Sequence, residues 1–338
     1  MTRIVVVLPN WFGETLFTTP FLSALRRQRP ESFIATLGWP QCREVLLHHP
    51  AVDELVAYDE RGRHRSLAGK WRLVATLRGF RFDAAFILRK SLSRSLLLAL
   101  AGIPERIGFD HPKSGWLLTR RVPMPEGPMH KSATYLRLLD AAAPVGPYHY
   151  TVSDEERRQA RERMRAERLD DGRPLIVLHP GANWPHKRWA PERFAALGDR
   201  LAEAAHARIA LTGGPDDSAL ADAIQARMRH PAVLWAGQTT LRELGARLEQ
   251  AQLLVSNDTG VLHIAAALGR PVVALFGPTA PSFTGPLGAP ERTTVLHHPD
   301  CCPQIPCRAP DRPPHPGMDS ISVEEACAAA VSLLAQPA

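Results

Sequence analysis

Short apolar runs punctuate the chain at regular intervals. IVVVL (4–8), AAFIL (84–88), LIVLH (175–179) and PVVALF (271–276) are each bounded by polar or turn-forming residues. Runs this short and continuous suit strands covered on both faces, as in parallel sheets, and the stretches between them have the wider spacing of amphipathic helices. The alternation predicts an α/β protein. In the first half, strands are expected over 3–8, 33–37, 54–58 and 84–88, with a short one near 106–109. Helices are expected over 15–29, 41–48, 69–78 and 92–101.

A second series follows a highly charged helix over 154–168. Strands are expected over 175–179, 208–212, 233–235, 253–256 and 271–276, and helices over 191–204, 218–228, 241–250 and 262–268. Ser153 with Glu156, and Thr240 with Glu243, carry the capping-box spacing of a helix start. The two series join near 146–153, which sets an N-terminal Rossmann-like domain at 1–150 and a C-terminal one at 151–320, facing a cleft. Residues 321–338 end the chain in a helix able to pack back on the N-terminal domain. Residues 290–316, rich in Pro, Arg, Cys and His, are expected to form an irregular loop.

The length of 338 residues fits two domains better than one, since single cores seldom grow past about 250–300 residues. Apolar runs such as 96–101 are far shorter than the ~20 residues that span a bilayer. Positions 1–9 have too short an apolar core and no small-residue cleavage site for a signal peptide, so a cytoplasmic protein is expected. Its five cysteines are then reduced thiols. The net charge of +7 favours anionic partners. Nucleic acid is not among those expected, because no basic stripe interleaved with aromatics and no recognition helix is present.

Ligands of open α/β sheets sit beyond the carboxyl ends of strands, which singles out the loops at 10–14, 89–94, 180–187, 213–217, 237–240 and 257–260. SNDTG (256–260) closes a strand and opens a helix. There Asp258, Thr259 and Gly260 leave backbone N–H groups free for a phosphate, or Asp258 or Thr259 serves as an N-cap. HPGANWPHKRW (179–189) places Lys187 and Arg188 beside Trp189; the two cations suit a diphosphate, or form a solvated pair while Trp189 packs on the next helix. TGGPDDS (212–218) offers Asp216 and Asp217 to ribose hydroxyls or to a helix cap. Together these loops describe a nucleoside-diphosphate pocket. No G-x-G-x-x-G, P-loop, G-x-S-x-G or D-x-D occurs. Without the D-x-D carboxylates, charge on a leaving diphosphate falls to Lys187, Arg188 and the helix at Thr259, so no metal or other cofactor is expected.

PNWFGETLFTTPFLSALR at the start, AGIPERIGF (101–109), LHPGANWPHKRWAPERFAAL (178–197) and SNDTGVLHIAAALGRPVVALFGPTAPSFTGP (256–286) resemble glycosyltransferase family 9, the lipopolysaccharide heptosyltransferases, and most of all the heptosyltransferase II branch. The resemblance implies a GT-B fold with the nucleotide sugar in the C-terminal domain. It implies inverting transfer of L-glycero-D-manno-heptose from ADP-heptose to the lipopolysaccharide inner core, at the cytoplasmic face of the inner membrane. Lys187 falls on the family's diphosphate lysine and Asp258, Thr259 and Gly260 on its phosphate-binding turn. His263 lies in the same motif, and Asp216 near an acidic residue that holds the nucleoside. Glu14 stands where the family usually has Asp and becomes the candidate general base, or else a charge complementing a helix start. Its extra methylene shifts the carboxylate by roughly 1.5 Å.

An acidic glycolipid acceptor carrying phosphate and Kdo carboxylates would meet Arg89, Lys90, Arg94, Arg106 and Lys131, with His111, Lys113 and His130 nearby. Trp11 and Phe12 flank the base and pack either on the acceptor or in the core. Cys301, Cys302 and Cys307, with His298 or His315, lack the paired spacing of a zinc site. Two alternatives remain: a family member with another nucleotide sugar or acceptor, and a non-catalytic sugar-nucleotide-binding protein that has lost its base.

Overall fold

The computed structural model describes residues 1–139, 143–301, 306–307 and 315–336. The chain divides into two compact units, Met1–Thr151 and Val152–Ala338.

The first unit is built on a parallel sheet of β1 (Arg3–Val7), β2 (Phe33–Gly38), β3 (Glu54–Ala57), β4 (Ala84–Ile87), β5 (Glu105–Phe109) and β6 (Arg120–Val122), in the order β3-β2-β1-β4-β5-β6. Central β1 is apolar on both faces because helices cover both, and Val5 registers with Ala35 on one side and Ala85 on the other. The second unit repeats the plan with β7 (Leu175–His179), β8 (Arg208–Leu211), β9 (Ala232–Leu234), β10 (Leu253–Asn257), β11 (Val272–Phe276) and β12 (Thr293–His297), in the order β12-β11-β10-β7-β8-β9. Counted from each unit's first strand, both sheets run 3-2-1-4-5-6, the doubly wound Rossmann order. The order reverses between β1 and β4 in the first unit, and between β7 and β10 in the second. Two Rossmann-like units in succession are the expected make-up of a GT-B chain.

The structure departs from the sequence expectation in four places. The helix expected over 15–29 is two, Phe12–Leu16 and Thr19–Gln28. Pro20 has no N–H to continue a helix, but it is well suited to a first turn. The Thr18 and Thr19 hydroxyls donate to the carbonyls of Thr15 (2.6 Å) and Leu16 (2.8 Å), closing the break. Strand β6, the three residues RRV, is not among the expected strands. Strand β12 lies inside the expected loop and pairs along β11, from Val272 with Thr293 to Phe276 with His297. The terminal helix Val323–Leu334 packs on the second sheet: Ala326, Ala330 and Leu333 are buried in that unit's core with Trp189, Phe194 and Leu197. Both predicted capping boxes form, at Ser153/Glu156 and Thr240/Glu243.

Candidate active site

In the first unit the switch point is formed by the turn after β1 and the loop after β4. The β1 turn is fixed from beneath by Arg94, whose buried guanidinium donates to the Leu8 carbonyl (2.6 Å) and to Asn10 Oδ1. It also lies 3.6 Å from Glu60 and over the Tyr58 ring. Gln41 adds a hydrogen bond to the Asn10 carbonyl. Glu14 sits in the first turn of Phe12–Leu16, its carboxylate half-buried and ion-paired with Lys131. Lys131 opens the helix Lys131–Leu136, which His130 caps by accepting from the Ser132 N–H (3.1 Å). The Lys131 ammonium also lies 5.8 Å from the Phe17 ring centre. Trp11 is half exposed and edge-on to Trp39.

The expected acceptor contacts separate into two groups. Arg89 and Lys90 are exposed just beyond β4 and line a small pocket with Ser91, Ser95 and Ser114. Lys131 meets Glu14. Arg94 does not fit the expectation: it is buried, and its donors are spent on the β1 turn. Arg106 departs in the same way, its guanidinium donating to the carbonyls of Leu117 (2.7 Å) and Ile103 (2.5 Å). Both arginines satisfy carbonyls at loop ends, a demand that only the tertiary structure creates.

In the second unit the switch point lies between β7 and β10. Asn257, at the end of β10, binds its two loops together. Its Oδ1 accepts from the Trp189 N–H (3.2 Å) and its Nδ2 donates to the Pro180 carbonyl (2.8 Å). Asp258 is buried; its carboxylate accepts from Lys187 Nζ (2.6 Å) and Thr279 Oγ1 (2.7 Å), with His263 Nε2 at 3.9 Å. Thr259 has the extended backbone of an N-cap but makes no side-chain cap, so the first N–H groups of helix Gly260–Ala267 keep their capacity for an anion. The Lys187 ammonium and this helix start flank Asp258, one on either side in contact and in sequence.

Arg188 donates to the Ala182 carbonyl (2.9 Å) and lies 3.4 Å from Asp217. The Asp217 carboxylate turns back to the Gly214 N–H (3.0 Å) and does not cap the following helix by its side chain. Gly181 and Gly213 leave it room: a Cβ on Gly181 would fall 2.4 Å from Asp217 Oδ2. Asp216 is exposed at the tip of the same turn. Trp189 is a correction. It is 1% exposed, edge-on to Phe194, with its indole N–H donated to the Ile321 carbonyl (3.0 Å), so it builds the core beneath the loop.

Sequence reasoning missed Asn257, Thr279 and His179. The first was visible as the Asn of SNDTG. His179 is buried at the end of β7, and burial pulls its pKa down to about 4 while Asp217 opposes that shift. Among the described residues, no group of three His, Cys, Asp or Glu is arranged to hold a metal ion. His298 pairs with Glu325 (3.0 Å), and His315 accepts from the Gly317 N–H. Cys301 is exposed and Cys307 half-buried; Cys302 lies outside the described residues.

The family model of glycosyltransferase family 9 (heptosyltransferase) matches residues 70–310. The chain is 28% identical over 310 residues to lipopolysaccharide heptosyltransferase 2 of Escherichia coli, covering 87% of this chain and 88% of that one. Among solved structures, the glycosyl transferase family 9 protein from Veillonella parvula aligns with a TM-score of 0.87 at 28% identity, over 98% of this chain and 97% of that one. The E. coli ADP-heptose lps heptosyltransferase II aligns with a TM-score of 0.83 at 25% identity, over 98% of both chains. Agreement of this extent in sequence and in both Rossmann units places the chain in glycosyltransferase family 9, the heptosyltransferases.

Proposed function

We propose that the protein transfers L-glycero-D-manno-heptose from its ADP-activated form to a Kdo- or heptosyl-bearing lipopolysaccharide inner core, in the manner of heptosyltransferase II. The observation that carries the proposal is the β7/β10 switch point. There a lysine, a buried aspartate and an uncapped helix start occupy the place where a Rossmann sheet receives a diphosphate. The named relatives and their ADP-heptose chemistry support the choice of donor.

The reaction is a single displacement. The acceptor hydroxyl oxygen attacks the anomeric carbon while Glu14 takes its proton. The carbon–oxygen bond to the diphosphate breaks, and its electron pair leaves with ADP. Lys187, Arg188 and the amides at Thr259 and Gly260 meet the charge that develops on the leaving oxygen, with no metal required. Asp258 holds Lys187 in place and His263 packs against it; Asp216 is the candidate for the ribose. Arg89, Lys90 and Lys131 are the cations left for an anionic core acceptor.

The acceptor is a lipid, so the protein works at the cytoplasmic face of the inner membrane as a peripheral protein. Among the described residues, no helix is long and apolar enough to cross a membrane. Incubation with ADP-heptose and a Kdo- or heptosyl-Kdo-lipid tests the reading by product mass. A gain of one heptose with release of ADP is expected. Donor binding without product would instead identify a sugar-nucleotide-binding protein.

A further inference from the structure

The first unit exposes large apolar side chains in an ordered array. Helix Leu92–Leu100 presents Leu92, Leu96 and Leu100 at i, i+4 and i+8, one face of the helix. Its other face is buried through Leu97 and Leu98, so Leu92, Leu96 and Leu100 form a second, partly exposed stripe. Helix Leu67–Phe80 presents Leu67 and Trp71, again at i and i+4. Arg78 of that helix ties the two together, donating to the Leu100 carbonyl at 2.8 and 3.2 Å. The turn at Gly115–Leu117, which meets helix Leu92–Leu100, exposes Trp116. These six side chains are 37–76% exposed, and large apolar groups gathered on neighbouring elements are a mark of interaction surfaces.

The charges near them in sequence are mostly positive, with the Asp110 carboxylate against Gly115 as an acidic exception beside Trp116. Residues 61–82, 84–104 and 111–125 contain no Asp or Glu. Lys70 and Arg72 flank Trp71, Arg89 and Lys90 precede Leu92, and Lys113 lies three residues before Trp116. Leucines and tryptophans rimmed by lysine and arginine are what an anionic bilayer selects: apolar groups enter the headgroup boundary while cations meet lipid phosphates. A protein partner would ask for no such excess of cations.

We infer that this face, centred on helix Leu92–Leu100, is the surface by which the protein lies on an anionic membrane. The inference extends the peripheral placement proposed above and relies on that reading only for the choice of an anionic bilayer. It also gives Arg89 and Lys90 a setting. They stand at the start of the lipid-facing helix and beside the pocket of Ser91, Ser95 and Ser114, where a lipid-borne anion would arrive.

The test is co-sedimentation of the full-length protein with vesicles of phosphatidylglycerol and phosphatidylethanolamine, against vesicles of phosphatidylcholine alone. Wild type is expected to partition to the anionic vesicles, less so as salt rises. The variants Leu92→Asp/Leu96→Asp and Trp116→Ser are expected to lower the bound fraction by about tenfold. Their thermal midpoints and circular dichroism should stay close to wild type, since these side chains are 42–65% exposed. Wild type that ignores anionic vesicles overturns the inference, as do folded variants that bind like wild type. Variants that convert a dimer to a monomer with vesicle binding unchanged would show the face to be a self-association surface. No sugar transfer is measured, so failure of the proposed reaction would not be mistaken for failure here.

Discussion

At the residue scale, the candidate donor loops were legible because their polar residues lie in contiguous strings. SNDTG and HKR each put their functional atoms within a few positions, and the structure joins them through the Lys187–Asp258 pair at 2.6 Å. Lys187→Ala is expected to weaken ADP by about 10–100-fold, the worth of a charge-assisted contact of about 1.5–3 kcal/mol. AMP, which lacks the second phosphate, should lose less; calorimetric titration of both nucleotides reads the difference. The arginines were less legible. Arg89, Arg94 and Arg106 look alike in the sequence, and only folding shows that the second and third are spent on buried carbonyls. Lys131 gained a role that its position could not disclose, that of holding the longer Glu14 carboxylate. Lys131→Ala should lower kcat, with Lys131→Arg restoring part of it, and should add little to the loss already caused by Glu14→Ala. Equal effects of Lys131→Ala in both backgrounds would separate the two residues.

At the element scale, what the apolar runs announced was formed: ten of the twelve strands among the described residues in place, with the two capping boxes. The failures have local causes. Strand β12 lies at the sheet edge, follows Pro290 and is only partly buried, so it lacks the continuous apolar run that marks the central strands. The break at Thr18 was signalled by Pro20, but an amphipathic pattern continuing on both sides concealed it. The terminal helix showed its apolar face plainly; which sheet that face meets is a tertiary fact, decided by Trp189 and Arg193 binding the Ile321 carbonyl. Arg94 connects this scale to the site, since it holds the turn that presents Glu14. Arg94→Ala removes a buried, fully engaged cation and is expected to cost about 3–5 kcal/mol, because the groups it satisfied stay buried. Denaturant unfolding checks this, and a loss within about 0.5 kcal/mol, as at an ordinary surface site, would show the turn to be held by other means.

At the scale of the whole molecule, both units carry histidines kept neutral by burial. His49, in the first unit, is pulled to about 3 by burial with His149 adding to the effect, and its Nδ1 accepts from the Ala51 N–H; His179 in the second is pulled to about 4. These folded values lie below the ordinary value of about 6.5, so the unfolded chain binds the extra protons first. Stability from these sites is therefore complete above about pH 7 and is lost as pH falls from about 6.5 toward 4, at about 1.4 kcal/mol per pH unit for each histidine. Thermal midpoints flat from pH 8 to 7 and falling below about 6.5 are expected; a midpoint unchanged down to pH 5 would contradict it. The repeated sheet order explains why so much of the function was accessible from strand ends alone: each unit has one place where its strand order reverses, and the candidate base and the candidate phosphate turn each occupy one. The most direct measurement is single-turnover transfer from ADP-heptose to the lipid acceptor by wild type and by Glu14→Ala, with ADP affinity measured alongside. The account expects transfer to fall by about 10²–10⁴-fold, the usual worth of a general base, while ADP binds both proteins alike. Equal turnover by the two proteins would contradict it.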